Sequence, residues 1–257
     1  MPEPAVLPGA EPFTAAGGRR GALVLHGFTG SPHSMRGLAQ ALAGAGFSVE
    51  LPLLPGHGTS VEDMATTGWG DWSAAVERVY QELAARCDQV VVVGLSMGGT
   101  LTAWLASRHP EIAAIAVVNP QIEPTPPAVR DVLALAVAQG VTEAPSIGSD
   151  VAQPGVAELA YDRVPIACIM SLAEALDELQ PWLGKIGCPA LVFTSPQDHV
   201  VPPSSSDTLA TLAQGPVERI ELPRSYHVAT LDYDRRLIEE KVVEFARRVT
   251  AAMGGAA

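Results

Sequence analysis

Ser96 is the residue of this chain whose setting most strongly predicts chemistry. It lies in the pentapeptide GLSMG (residues 94–98), which has the G-x-S-x-G form. The β-branched run Val90–Val93 precedes it and a helical pattern follows, so the serine is predicted on a sharp turn between a strand and a helix. The two glycines leave room for such a turn. We interpret Ser96 as a nucleophile; a merely structural glycine-rich turn is the alternative.

A serine hydroxyl becomes a good nucleophile only when a neighbouring base removes its proton. Six histidines are present, and we select His227 because it follows the last predicted strand, at residues 217–222. His199 is the one rival. The predicted acid is Asp198, after the strand at residues 190–195, where it would orient His227 and stabilise its imidazolium form. An Asx turn is the alternative role of Asp198.

Attack on an acyl carbon also requires two hydrogen-bond donors for the oxyanion that forms. The backbone N–H of Met97, directly after Ser96, is one candidate. The other is the N–H of Phe28 in the loop HGFTG (residues 26–30), which follows the first predicted strand. The glycines of this loop allow its backbone to approach a substrate closely.

Strands and helices alternate along most of the chain, and this alternation predicts the frame that holds these residues. Apolar runs predict strands at residues 21–25, 47–51, 90–93, 112–118, 190–195 and 217–222, with helical patterns between most of them. Such an order is typical of a mostly parallel central sheet flanked by helices, with ligands at the carboxyl ends of strands. Together with the G-x-S-x-G turn and the chain order of serine, acid and histidine, it predicts the α/β-hydrolase fold. We divide the chain into an irregular N-terminal lead-in (1–20), a core (21–119 and 186–257) and a cap, or lid, insertion (120–185).

Composition argues against several classes of protein. Of 257 residues, 47% are hydrophobic, which suits a large buried core, and the net charge of −12 argues against nucleic acid as a partner. The cysteines Cys87, Cys168 and Cys188 lack metal-binding spacing and are expected to be reduced thiols. The N-terminal residues look like neither a signal peptide nor a membrane anchor, so we expect a cytoplasmic protein, peripheral at membranes if it meets them.

Several motifs taken together resemble those of the bacterial monoacylglycerol lipases, and slightly less those of the thermophilic bacillary carboxylesterases. They are HGFTGSPHSMRGLAQAL, LPGHGT, GLSMGG, SPQDHVVPP and SYHVATLD, within a resemblance that covers about residues 20–250. The resemblance implies a carboxylic ester hydrolase with a small lid over its active site. It also implies that the triad is Ser96, Asp198 and His227 and that the oxyanion donors are Phe28 and Met97.

Two stretches of the insertion look like the lid of the lipase branch: IGSD (residues 147–150) and ELAY (residues 158–161). By this resemblance Ile147 and Glu158 bind the substrate, and Glu158 helps to hold a glycerol head group. A solvated lid carboxylate is the alternative for Glu158. The apolar stretch at residues 129–137 fits a core helix first, and also fits the lining of an acyl tunnel that touches a membrane or lipid surface.

The expected reaction is therefore hydrolysis of a lipid ester, most of all a monoacylglycerol, to a free fatty acid and glycerol through an acyl-enzyme. No metal and no organic cofactor is implied. A short-chain carboxylesterase or a thioesterase would use the same triad, and acyl length and leaving group would separate these from a lipase. A ligand-binding homologue without turnover is the alternative from another class of protein, and labelling of Ser96 by a fluorophosphonate would test it.

Overall fold

A seven-stranded sheet forms the centre of the computed structural model, which describes residues 4–254. The strands of the chain are β1 (Phe13–Ala15), β2 (Arg20–Leu25), β3 (Ser48–Leu51), β4 (Gln89–Leu95), β5 (Ala114–Val118), β6 (Glu143–Pro145), β7 (Arg163–Pro165), β8 (Ala190–Thr194) and β9 (Val217–Glu221). The sheet has the order β1-β3-β2-β4-β5-β8-β9, and β6 pairs with β7 apart from it. Only the pairing of β1 with β3 is antiparallel within the sheet, which confirms the mostly parallel architecture.

Helices cover both faces of this sheet. They are α1 (Arg36–Gly44), α2 (Val61–Met64), α3 (Trp69–Ala84), α4 (Met97–Ala106), α5 (Pro127–Ala138), α6 (Ile166–Leu179), α7 (Ser204–Leu212) and α8 (Arg235–Gly254), with 3-10 helices at Pro32–Met35 and Gln180–Lys185. Successive residues of a strand point to opposite faces. Val92 of β4 accordingly packs in one cluster with Trp72 of α3, and Val93 packs in a second cluster with Leu38 of α1 and Val242 of α8.

The predicted lead-in and first helix differ in part from the structure. The lead-in contains β1, whose Phe13 pairs with Leu51 of β3, so it is less irregular than expected. Ser31-Pro32 is a sequence typical of a helix start, but here it opens a 3-10 turn, and the chain becomes α-helical only at Arg36. Residues 1–3 and 255–257, which belong to the predicted lead-in and core, lie outside the described residues.

The segment between β5 and β8 has two parts with different environments. Helix α6 buries seven residues, and its Leu172, Leu176 and Leu179 join the cluster that contains Trp72. Helix α5 buries none of its side chains, although it is rich in valine and leucine. The β6–β7 pair lies between them in sequence, and Glu143 pairs with Pro165 in it. An apolar helix is thus left at the surface of the proposed cap.

The two edges of the sheet are formed by strands of different character. At one edge β1 has only three residues, none of them buried. At the other edge β9 has the sequence VERIE, and Glu218, Arg219 and Glu221 of this strand are exposed. Within residues 4–254, none of the helices combines the length and the apolar character required to cross a bilayer.

Candidate active site

Ser96 occupies a strained turn between β4 and α4. Its backbone has φ 55° and ψ −119°, a conformation that residues other than glycine rarely adopt. A Cβ on Gly94 would lie 2.1 Å from the carbonyl oxygen of Gly98, and one on Gly98 would lie 2.3 Å from that of Leu25. Both positions therefore require glycine, and the turn places Ser96 at the N-terminus of α4, where the helix dipole favours negative charge.

His227 and Asp198 form a buried pair beside this turn. Nδ1 of His227 lies 2.7 Å from Oδ2 of Asp198, and their side chains are 8% and 2% exposed. The other carboxylate oxygen of Asp198 accepts hydrogen bonds from the N–H groups of Val200 and Val201, each at 2.8 Å. Asp198 thus forms an Asx turn, which was the alternative to an acid role, and it also orients the imidazole of His227. Because the carboxylate accepts the Nδ1 proton, Nε2 is left free to act as a base.

Asn119 holds the loop that carries His227, and the sequence analysis did not identify it. It follows β5 directly, is buried and has φ 45°. Its side-chain nitrogen donates to the carbonyl oxygen of His227 at 2.8 Å and to the hydroxyl of Ser195 at 2.9 Å. Its side-chain oxygen accepts the N–H of Ser195 at 2.7 Å. A buried polar residue at the carboxyl end of a central strand was the only signal that the sequence offered.

The loop with Phe28 rests on a cluster of buried rings. The Phe28 ring packs edge-on against Trp72, with centroids 5.6 Å apart, and against His57 at 6.3 Å. Burial lowers the pKa of His26 to about 3 and that of His57 to about 4, so both imidazoles are neutral at physiological pH. His26 accepts the N–H of Leu54 and bonds to Gly27, which explains its burial without a role as base.

Phe28 and Met97 hold the two predicted oxyanion donors. Within the described residues, neither backbone N–H donates to an acceptor. Phe28 lines the same cavity as Ser96, and Met97 begins α4 directly after it. Thr29, next to Phe28, has φ 60°, so this loop is also held in an unusual backbone conformation. Two free donors beside a serine hydroxyl are what a tetrahedral oxyanion requires.

A cavity of about 270 Å³ lies between these groups and the segment that joins β5 to β8. Ser96, His227 and Phe28 line it from the core. Ile147 and Glu158 line it from the insertion. Of the predicted site residues, Asp198 and Met97 do not line it: Asp198 is linked to it through His227, and Met97 is fully buried. The remaining wall is largely apolar and includes Val164, Ile169, Leu172, Val200 and Val201. Ile147 is 66% exposed, so it stands at the mouth.

Glu158 is a half-buried carboxylate of the cavity wall rather than a solvated one. Burial raises its pKa to about 7, and the Ser34 hydroxyl and the charge of His227 oppose that shift. Its backbone N–H donates to the Ser149 hydroxyl at 2.8 Å. Near neutral pH the carboxyl group is therefore present in both forms, and each form offers an oxygen for a substrate hydroxyl.

Three aspartates connect the loops around the site, and the sequence analysis did not assign them to it. Asp150 of the insertion accepts the N–H of His227 at 3.0 Å and lies 2.9 Å from Nδ1 of His199. His199, the rival base, does not line the cavity. Asp232 and Asp234 precede α8, where helix-capping side chains are common, but within the described residues their carboxylates do not bind the first turn of that helix. Their carboxylates bind backbone N–H groups outside α8, those of residues 152, 153, 226 and 233 for Asp232 and of residue 224 for Asp234.

Comparison with known sequences gives a consistent result. A profile of the alpha/beta hydrolase fold matches residues 23–142. The chain is 48% identical over 248 residues to a thermostable monoacylglycerol lipase from Bacillus sp. (strain H-257), covering 93% of this chain and 95% of that protein. It is 25% identical over 244 residues to a carboxylesterase from Bacillus subtilis (strain 168), covering 93% of this chain and 97% of that protein.

Comparison with solved structures also places lipolytic enzymes among the similar proteins. A chain described with the metagenome-derived lipolytic enzymes LipS and LipT superposes with a TM-score of 0.89 at 42% identity, covering 95% of this chain and 100% of that one. These similarities extend over almost the whole chain, which is far more than the serine turn alone would produce. The chain therefore belongs to the α/β-hydrolase family, among the carboxylic ester hydrolases that include the Bacillus monoacylglycerol lipase.

Proposed function

We propose that this protein hydrolyses monoacylglycerols to a free fatty acid and glycerol, with Ser96 as nucleophile, His227 as general base and Asp198 as the acid that orients it. The observation that carries the proposal is a single cavity that contains Ser96 and His227 on one side and the Glu158 carboxyl group on the other. The similarity to a monoacylglycerol lipase along nearly the whole chain supports the choice of substrate.

The reaction proceeds in two halves that use the same residues. Nε2 of His227 takes the Ser96 proton as the hydroxyl oxygen attacks the ester carbonyl, and the N–H groups of Phe28 and Met97 hold the oxyanion. The intermediate collapses, and His227 returns the proton to the departing glycerol oxygen. A water molecule then loses a proton to His227, attacks the acyl-enzyme and releases the fatty acid. Asp198 stabilises the imidazolium that forms in each half.

The cavity walls suit one acyl chain and one small polyol. Its volume of about 270 Å³ is close to the lower end of the range of roughly 300–1,000 Å³ for ligand pockets, which favours a monoacyl over a triacyl substrate. The apolar wall accepts the chain, and Ile147 borders its entrance. Glu158 binds a hydroxyl of the glycerol, because it is a half-buried hydrogen-bonding side chain opposite the serine.

The exposed apolar side chains of the cap form the surface that meets lipid. We call this set the apolar cap face; its members are Val129, Val132, Leu135, Val137, Val141 and Ile147, each more than 40% exposed. Ile147 is a member of this set and also lines the cavity, so the set includes a residue at the entrance. A lipid surface is the proposed occupant, since it also supplies the substrate. We place the protein in the cytoplasm, peripheral to membranes, in keeping with its three free cysteines.

The test is the release of fatty acid from monoacylglycerols of increasing chain length, measured beside di- and triacylglycerols, nitrophenyl esters and a thioester. The control is Ser204→Ala, a change of an exposed serine on α7. The proposal is supported if turnover is highest on monoacylglycerols, is lost in Ser96→Ala and is kept in Ser204→Ala. Turnover of short simple esters or thioesters alone assigns the protein to a carboxylesterase or thioesterase instead. Saturable ligand binding without fluorophosphonate labelling of Ser96 indicates a binding protein without turnover.

A further inference from the structure

Four consecutive residues of the proposed cap lie against the cavity, against Glu158 and against the loops that carry the acid and the base. Ile147 lines the mouth of the cavity, and Gly148 lines it beside Ile147. The Ser149 hydroxyl accepts the N–H of Glu158. Asp150 reaches the loops that carry the general base and the acid. This short stretch, residues 147–150, is where the cap and the triad are mechanically connected.

The Asp150 carboxylate binds two residues: the general base His227, and His199, which follows the acid in the sequence. Its Oδ2 accepts the N–H of His227 at 3.0 Å and the N–H of His199 at 3.2 Å. Its Oδ1 lies 2.9 Å from Nδ1 of His199. Only 13% of the Asp150 side chain is exposed, against 59% for His199, so the carboxylate is fixed and largely shielded from water. The His199 ring also packs edge-on against Tyr226, with centroids 4.5 Å apart.

We propose that Asp150 is a positioning residue that holds His227 in register with Asp198 and thereby makes proton transfer at Ser96 depend on a docked cap. The Asp150 carboxylate binds an N–H group in each of two loops, and these loops carry the His227 and Asp198 side chains, which meet at 2.7 Å. Hydrogen bonds to an ionised acceptor are shorter and stronger than neutral ones. This inference rests on the proposed hydrolase function, because positioning is measured by turnover.

Other contacts keep the cap docked when this carboxylate is removed. The backbone oxygen of Asp150 accepts the N–H of Val228 at 3.0 Å. Asp232 accepts the N–H groups of Ala152 at 2.6 Å and Gln153 at 3.0 Å. A change of the Asp150 side chain therefore leaves the nearby backbone attachment in place. Its effect on catalysis is separable from loss of the cap.

The experiment compares Asp150→Ala and Asp150→Asn with the control Asp131→Ala, an exposed cap aspartate on α5. The substrate is a short nitrophenyl ester, and the second readout is the rate at which a small fluorophosphonate labels Ser96. We expect Asp150→Ala to lower kcat about 10- to 100-fold, because a displacement of a catalytic group by about 1 Å costs up to about 100-fold in rate. The labelling rate should fall in parallel, and KM should change less than about threefold. Asp150→Asn keeps the volume and one acceptor oxygen, so we expect an intermediate fall.

Each result bears on the proposal. A kcat and a labelling rate within twofold of wild type in both Asp150 variants overturn it, even where the melting temperature falls. If the alanine variant does not fold, the asparagine variant decides by the same criterion. An equal fall in Asp131→Ala also overturns it, since any cap charge would then suffice. A wild-type protein that neither turns over esters nor reacts with the fluorophosphonate refutes the proposed function itself.

Discussion

The carboxylate of Glu158 lies directly against Gly30, so that a Cβ at Gly30 would stand 2.5 Å from Oε1 of Glu158 and 3.2 Å from its Cδ. One residue belongs to the loop that carries Phe28 and the other to the cap. The absence of a side chain at Gly30 is what lets Glu158 lie across that loop and reach the cavity. The polar end of the proposed substrate site is thus defined by a contact between two distant parts of the chain.

Replacement of Gly30 by alanine is expected to displace Glu158 without unfolding the protein. The atom that must move is the end of a flexible side chain, and the φ of Gly30 is not positive. We expect KM for a monoacylglycerol to rise about tenfold, as for loss of roughly one hydrogen bond to a charged group. Nitrophenyl esters, which have no glycerol, should change less than threefold.

The control for this prediction is Gly70→Ala on α3, where an added Cβ meets nothing within 4 Å. It should leave both substrates unaffected. An equal loss on monoacylglycerols and nitrophenyl esters in Gly30→Ala would mean that the change acts through Phe28 rather than through Glu158.

Glu158 should make the stability of the protein fall as the pH rises from about 4.5 to about 7. Burial raises its pKa to about 7 from 4.5, so the folded protein retains a proton that the unfolded chain has released. Stability then decreases with pH in this interval and is level above it. The change is on the order of 3 kcal/mol.

Glu158→Gln has no such proton, so its stability relative to wild type should improve by that amount between pH 5 and pH 8. Urea unfolding at the two pH values measures this, and Glu174→Gln on the exposed side of α6 is the control. A difference that does not change with pH would show that Glu158 ionises in the folded protein as it does in the unfolded chain.

Asn119 is expected to contribute both to stability and to the geometry of His227. Asn119→Ala leaves the N–H of Ser195 and the carbonyl oxygen of His227 without their buried partner and retains a φ of 45°. We expect a loss of about 3 kcal/mol in urea unfolding, from unsatisfied groups and backbone strain. Asn119→Gly removes the same bonds but tolerates the φ, so it should lose about 1 kcal/mol less. Equal losses would mean that the backbone conformation is not strained.

Two residues of the apolar cap face allow a test of lipid contact. Val132 and Leu135 are 67% and 60% exposed. The double variant Val132→Ser, Leu135→Ser should bind phospholipid vesicles at least about tenfold more weakly, because two apolar side chains no longer enter the lipid. Hydrolysis of a soluble nitrophenyl ester should stay as in wild type. Leu212→Ser, an exposed leucine on α7, is the control in sedimentation with vesicles. Unchanged vesicle binding in the double variant would contradict the proposed surface.

The centre of the candidate site is the part for which the sequence carries local signals. Ser96 lies on a turn whose glycines leave a local signature, and Asp198 and His227 each follow a strand that apolar runs predict. The pairing of Asp198 with His227 follows from the order of parallel strands, since their carboxyl ends meet at one edge. The sheet and its helices were predictable for the same reason, because periodicity and turn residues are local properties of sequence.

The supporting residues were not predictable, because their partners are far away in sequence. Asn119 binds Ser195 and His227, which lie 76 and 108 positions further along the chain. Asp150 and Asp232 bind backbone groups 77 and 80 positions away. Hydrogen bonds of this kind leave no periodicity. Nor does hydrophobicity separate surface from core: α5 is as apolar in sequence as a core helix, yet it buries none of its side chains.

The two edges of the central sheet have a consequence for the behaviour of the protein at high concentration. A long, flat and apolar edge strand offers free N–H and C=O groups as a template for a strand of another molecule. Here β1 is too short for such pairing, and β9 presents Glu218, Arg219 and Glu221, whose charges a second strand would have to accommodate at close range. Both edges of the sheet therefore disfavour edge-to-edge aggregation, even though the proposed cap carries exposed valine and leucine.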